Sequence, residues 1–156
     1  MALGVSPLLK QLSAASQTLN EASDTLTQEI KEVEQAIGAF NLGVSTWVKF
    51  RETPEEHDFG NGNIREFDRV DMLGYDKHHG RWALIVYSGV EELNQEETWL
   101  LRDSPRDLRV LAVDAIPELV EKLANEAIAL AEKVKSKADR TKAIAHSIRK
   151  QKKAEE

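Results

Sequence analysis

The chain has 156 residues, of which 41% are apolar, 31% charged and 6% aromatic, with a formal net charge of -6. Gly and Pro total only 12, which excludes a collagen or a glycine-proline-rich disordered chain, and no run of about 18 apolar residues exists to span a membrane as a helix. With zero cysteines there is no disulfide framework, no thiolate metal site and no Cys nucleophile. The start Met1-Ala2-Leu3-Gly4-Val5 has no basic flank, no sustained apolar stretch and no A-x-A site, so no secretory leader is expected and a cytoplasmic location follows as the default.

The charge is unevenly placed. Residues 1–132 hold 12 Lys and Arg against 24 Asp and Glu, a balance of -12, whereas residues 133–153 hold nine basic residues against Asp139 alone, a balance of +8. An acidic body thus carries a basic end, and partners must be considered for each separately.

Ser6 as N-cap and Pro7 in the first turn announce a helix over 6–42. Within it Leu9, Leu12, Ser16, Leu19, Ser23, Leu26, Ile30, Val33, Ile37 and Phe40 follow a 3-4 spacing, a narrow heptad stripe that needs a long partner surface. The period then changes. Val44 to Arg51 alternates as a strand, and Glu52 to Asn63 reads as a loop by its Pro, Gly and Asn content. Ile64 to Tyr75 is a second strand whose mixed charges suggest an exposed edge. Asp76 to Gly80 turns the chain into Arg81 to Tyr87, apolar on both faces, and a fourth short strand lies around Thr98 to Leu101. Short connections make residues 43–103 a four-stranded antiparallel meander.

Ser104-Pro105-Arg106-Asp107 starts the last helical region, 104–152, again with a serine N-cap. Pro117 is expected to kink one long helix there. Ile116, Val120, Leu123, Ala127, Leu130, Val134, Lys137, Thr141, Ile144 and Ile148 repeat the heptad spacing. The two stripes match in length, roughly 46 Å each at the helical rise. Run antiparallel, they set Ser16 opposite Thr141 and Asn20 opposite Lys137, so that polar breaks meet polar breaks. The expected fold is therefore α+β, one domain in which a four-stranded antiparallel meander is flanked by two long helices forming an antiparallel coiled-coil-like hairpin.

Chemistry-bearing residues are sparse. His57, His78, His79 and His146 are the available ligands or bases, but a meander sets the 52–63 loop and the 76–80 turn at opposite ends, so a solvated His-His turn is expected rather than a metal site. Glu55-Glu56-His57-Asp58 lacks the ligand spacing of a calcium loop, and Phe59 to Asn63 does not introduce a helix as a phosphate cradle must. No nucleophile elbow or HExxH motif occurs, and no cofactor is implied. Trp47, Trp82 and Trp99 fall in three strands and read first as core. The other reading is a ligand or partner surface on the sheet head, built from Trp47, Arg51, Arg65, Arg69, His78, His79, Arg81 and Trp82. Lys133, Lys135, Lys137, Arg140, Lys142, Arg149, Lys150, Lys152 and Lys153 form the basic patch. It reads as a solvated helix end or as a contact for an acidic protein surface; a nucleic acid or an anionic membrane surface is the less favoured reading, since no aromatic residue interleaves the cations for base stacking and the whole chain is acidic.

The expected function is a non-enzymatic interaction or adaptor protein that forms a homodimer or higher homo-oligomer through its helices and offers the sheet head as a binding surface. One alternative is a ligand-binding or catalytic domain with its site on the sheet or between subunits. Another is a nucleic-acid-associated protein acting through the basic end.

Overall fold

A computed structural model describes residues 4–155; Met1 to Leu3, part of the stretch read for a leader, lie outside them. In chain order the elements are α1 (Val5–Gly38), β1 (Thr46–Asp58), β2 (Ile64–His78), β3 (Arg81–Val90), β4 (Gln95–Leu100), α2 (Arg106–Val113) and α3 (Ile116–Glu155), with short 3-10 turns at Glu91–Leu93 and Leu101–Asp103. The strands form one antiparallel sheet in the order β1-β2-β3-β4, the expected α+β meander. Among the described residues no helix is long and apolar enough to cross a membrane.

One sheet face carries the core. Val48, Leu73, Tyr75, Leu84 and Val86 are buried on it, and the helices bring Ile30 and Ile37 from α1, Leu108 and Ala112 from α2, and Leu119 and Leu123 from α3. Each long helix thus docks by its inner end only. The docking of α1 also solves a backbone problem: β4 pairs with β3 only from Ile85 to Val90, and the Glu34 carboxylate accepts the Leu84 N–H at 2.9 Å just beyond that ladder. Arg106 and Arg109 tie α2 to α1 by donating to Asn20 and Thr27 respectively. On the other side Lys122 of α3 donates to the Trp47 carbonyl at 2.8 Å.

Several sequence expectations need correction. The first strand does not stop at Arg51: after a bulge between Lys49 and Arg51 it pairs with β2 through to Asp58, leaving only Phe59 to Asn63 as the connection. Pro54 is tolerated because β1 is an edge strand, where a missing N–H need cost no ladder bond. Conversely β2, expected at the edge, lies between β1 and β3. Two of its charges have cross-strand partners, Arg69 in Glu55 and the buried Asp71 in Arg51.

Pro117 does not kink one helix. The chain breaks at Asp114-Ala115, and Pro117 becomes the second residue of α3, where an N–H would have no intrahelical acceptor. The serine caps also shift: α1 begins at Val5 behind Gly4, and the Ser104 hydroxyl donates to the Leu101 carbonyl instead of capping α2.

A seam along the full length of the two long helices is not among the contacts of the single chain. Leu9, Leu12 and Leu19 are 58%, 66% and 51% exposed, and Asn20, expected opposite Lys137, accepts from Arg106 instead.

Candidate functional site

Side chains alternate across a strand, so the residues between the core positions must line the second sheet face. There Trp47, Val70, Met72, Tyr87 and Gly89 form the floor of a cleft of about 490 Å³. Glu52 and Asp68 stand on one side of it and Glu91, Glu92 and Glu96 on the other. The last three come from the turn after β3 and the start of β4, which places a carboxylate cluster beside aromatic and thioether surface.

Two glycines shape this floor. A Cβ at Gly74 would sit 2.3 Å from Trp47 Cδ2, and one at Gly89 would sit 2.4 Å from the Tyr87 hydroxyl oxygen and 2.8 Å from the Gln95 carbonyl oxygen. Both rings therefore lie against bare backbone, as aromatic residues do when they cover a strand glycine. The indole is held further by its Nε1, which donates to Asp76 Oδ2 at 3.2 Å. Burial raises the Tyr87 phenol above its ordinary range, with the Glu96 and Glu91 carboxylates adding to the effect. At the margin Lys49 pairs with Glu52 at 2.6 Å, holding that carboxyl below its ordinary range by hydrogen bonding and charge.

Such a surface suits an amphipathic cation. Aliphatic or aromatic groups can rest on the Trp47, Met72 and Tyr87 floor while ammonium or guanidinium groups reach the carboxylate rim. Among the described residues no group of three His, Asp or Glu side chains is placed to hold a metal ion.

The residues proposed from sequence as one surface are divided. Trp47 alone lines this cleft. Arg51 and Arg69 point to the core face, where Arg51 Nε donates to the fully buried Asp71 at 2.5 Å and Arg69 donates to Glu55 and Ser88. Glu55 Oε1 also lies 3.0 Å from His57 Nε2. Arg65 lies over the Phe59 ring near the β1–β2 connection. His78, His79, Arg81 and Trp82 gather around the other end of β2, with the two imidazoles edge to face at 4.3 Å and Trp82 stacked on Tyr75. The separation of His57 from His78 and His79 by the length of the sheet is as expected. The basic patch, Lys133 to Lys153, lies on the distal part of α3, where its residues are exposed.

The acidic cleft escaped the sequence reading because its parts come from all four strands and a turn. Its one local signal is the alternation Asp68, Val70, Met72, Gly74, Asp76, which gains meaning only once the register sets Trp47 opposite Gly74 and Tyr87 opposite Met72. Comparison with protein-family models, with curated proteins and with solved structures found no match.

Proposed function

We propose that this chain is a non-enzymatic, homo-oligomeric interaction protein whose long helices assemble with those of another copy and whose sheet head carries the binding surface. One observation supports this above the rest: the outer stripes of both helices are apolar, regular and exposed. On α1 these are Leu9, Leu12 and Leu19; on α3 they are Leu130 and Val134. A helix of this length with no tertiary cover is poorly stabilised by propensity alone, and a heptad stripe is the pattern that a second helix covers. A small apolar pocket of about 120 Å³ between α1 and α2, lined by Leu19, Leu26 and Val110 among others, continues the stripe toward the head.

Light scattering at micromolar concentration tests the reading. A particle of at least twice 17.5 kDa is expected for the intact chain. The double variant Leu12→Asp, Leu19→Asp, which alters only exposed positions, should lose mass toward one chain while the packed head keeps its wild-type near-ultraviolet circular dichroism. A wild-type particle of 17.5 kDa overturns the proposal.

A further inference from the structure

The distal end of α3 has the chemistry that the acidic cleft lacks. Beyond the polar step at Lys137 and Thr141, Ile144 and Ile148 are 52% and 64% exposed, and they are flanked by Lys142, Arg149, Lys150, Lys152 and Lys153. This is an amphipathic basic helix end: two branched apolar side chains four residues apart, on one face, bordered by cations. The cleft is its complement, an apolar floor of Met72, Tyr87 and Trp47 edged by Glu91, Glu92 and Glu96.

The two cannot meet within one chain. The last residue of α3 in the core is Leu123, and the helix runs on unbroken to Glu155. Ile148 therefore stands roughly 37 Å further along a rigid axis. The cleft, moreover, is on the sheet face opposite the one that α3 covers.

We infer that the basic end of α3 docks in the acidic cleft of a second copy, Ile144 and Ile148 on the aromatic floor and the lysines on the carboxylate rim. The proposal rests on the homo-oligomeric reading above and names the occupant of its binding surface. Reciprocal docking closes a two-fold dimer, in which each copy gives one tail and one cleft. It also accounts for the division of charge, since the +8 of residues 133–153 then faces the acidic body of the other copy.

Zero-length carbodiimide coupling joins only carboxylates and amines in direct contact, so it reads this contact without a designed probe. A mixture of unlabelled and 15N-labelled full-length protein is coupled and analysed by mass spectrometry. Peptides linking Lys142, Lys150, Lys152 or Lys153 of one isotopic form to Glu91, Glu92 or Glu96 of the other are expected. The pair Glu91→Lys, Glu92→Lys should reduce those links at least tenfold, as should Lys150→Glu, Lys153→Glu. Mixing the two variants, whose reversed charges match, should restore inter-copy links through the exchanged residues.

If light scattering shows a dimer while the tail-to-cleft links are absent, the docking inference falls and helix-based assembly stands. A particle of one chain's mass overturns both. If the links are absent but a synthetic Lys/Arg-rich amphipathic peptide changes tryptophan fluorescence in the wild type and not in Glu91→Lys, Glu92→Lys or in Trp47→Phe, self-docking is overturned in favour of another basic protein.

Discussion

Gly74 and Trp47 form a unit in which the absence of one side chain makes room for the other. Gly74→Ala forces the indole off its seat and strains its bond to Asp76, so a loss of about 1–3 kcal/mol is expected from overpacking. In the background of Trp47→Ala the same substitution should cost little, and a double-mutant cycle by urea denaturation measures the difference. Asp71 presents a different case. Its buried carboxylate leans on Arg51 alone, with Oδ1 unpartnered, and Arg51→Leu would strand it; about 3 kcal/mol of destabilisation is expected by the same measurement. Glu55 sets a pH dependence. Hydrogen bonding from Arg69, followed by the attraction of its charge against an opposing desolvation effect, holds the carboxyl below its ordinary 4.5, so the ionised form is favoured by folding. Its contribution is complete above pH 4.5 and is lost as the pH falls through the lower folded value. The stability gap between wild type and Glu55→Gln should therefore narrow between pH 7 and pH 3 in denaturant titrations.

At the scale of elements, the legible features were those set by local period. The 3-4 spacing from Leu9 to Phe40 and the alternation from Val44 to Arg51 depend on neighbours in sequence, and both elements are present. What local pattern could not supply was long-range partnership. Pro54 and the acids around it mark a loop until Pro54 is seen paired with Asp68 on an edge strand, and the charges of β2 suggest an edge until Arg51 and Glu55 supply their partners. Pro117 shows the limit most simply, because a proline marks a discontinuity without saying whether the chain bends or restarts. Its place in the first turn of α3 makes a prediction: Pro117→Ala regains no intrahelical hydrogen bond, so it should shift stability by less than about 1 kcal/mol. A kink within one helix would give a clear gain on the same substitution. The inner and outer parts of α3 should separate as sharply, since Leu119→Ala opens the core at a cost of about 2–5 kcal/mol. Ile148→Ala removes a side chain that touches water in the single chain, and a change within about 0.5 kcal/mol is expected when unfolding is followed at concentrations too low for assembly.

For the whole molecule, the division between a packed head and two uncovered helical arms decides where stability resides. The core joins the sheet to residues 26–37 of α1, to α2, to Ala115 and to residues 116–123 of α3. Residues 5–22 and 128–155 add helix without adding to it. In a single chain the amide protons of these arms are protected only by helix formation, which opens locally at little cost, whereas those of β2 and β3 open only with the head. Covering the arms with a second copy changes their opening energy and leaves that of the sheet almost alone. Hydrogen exchange followed at two protein concentrations should thus show protection of residues 5–22 and 128–155 rising steeply from the dilute to the concentrated sample, while β2 and β3 exchange alike in both. Salt separates the two contacts proposed for the arms. Apolar stripes are insensitive to ionic strength, but the tail-to-cleft contact joins exposed charges that are screened within about 8 Å at 0.15 M salt and within about 3 Å at 1 M. Raising salt over that range should therefore strip protection from residues 142–153 before it affects residues 5–22, and equal protection of both at 1 M salt would show that charge plays no part in holding the tail.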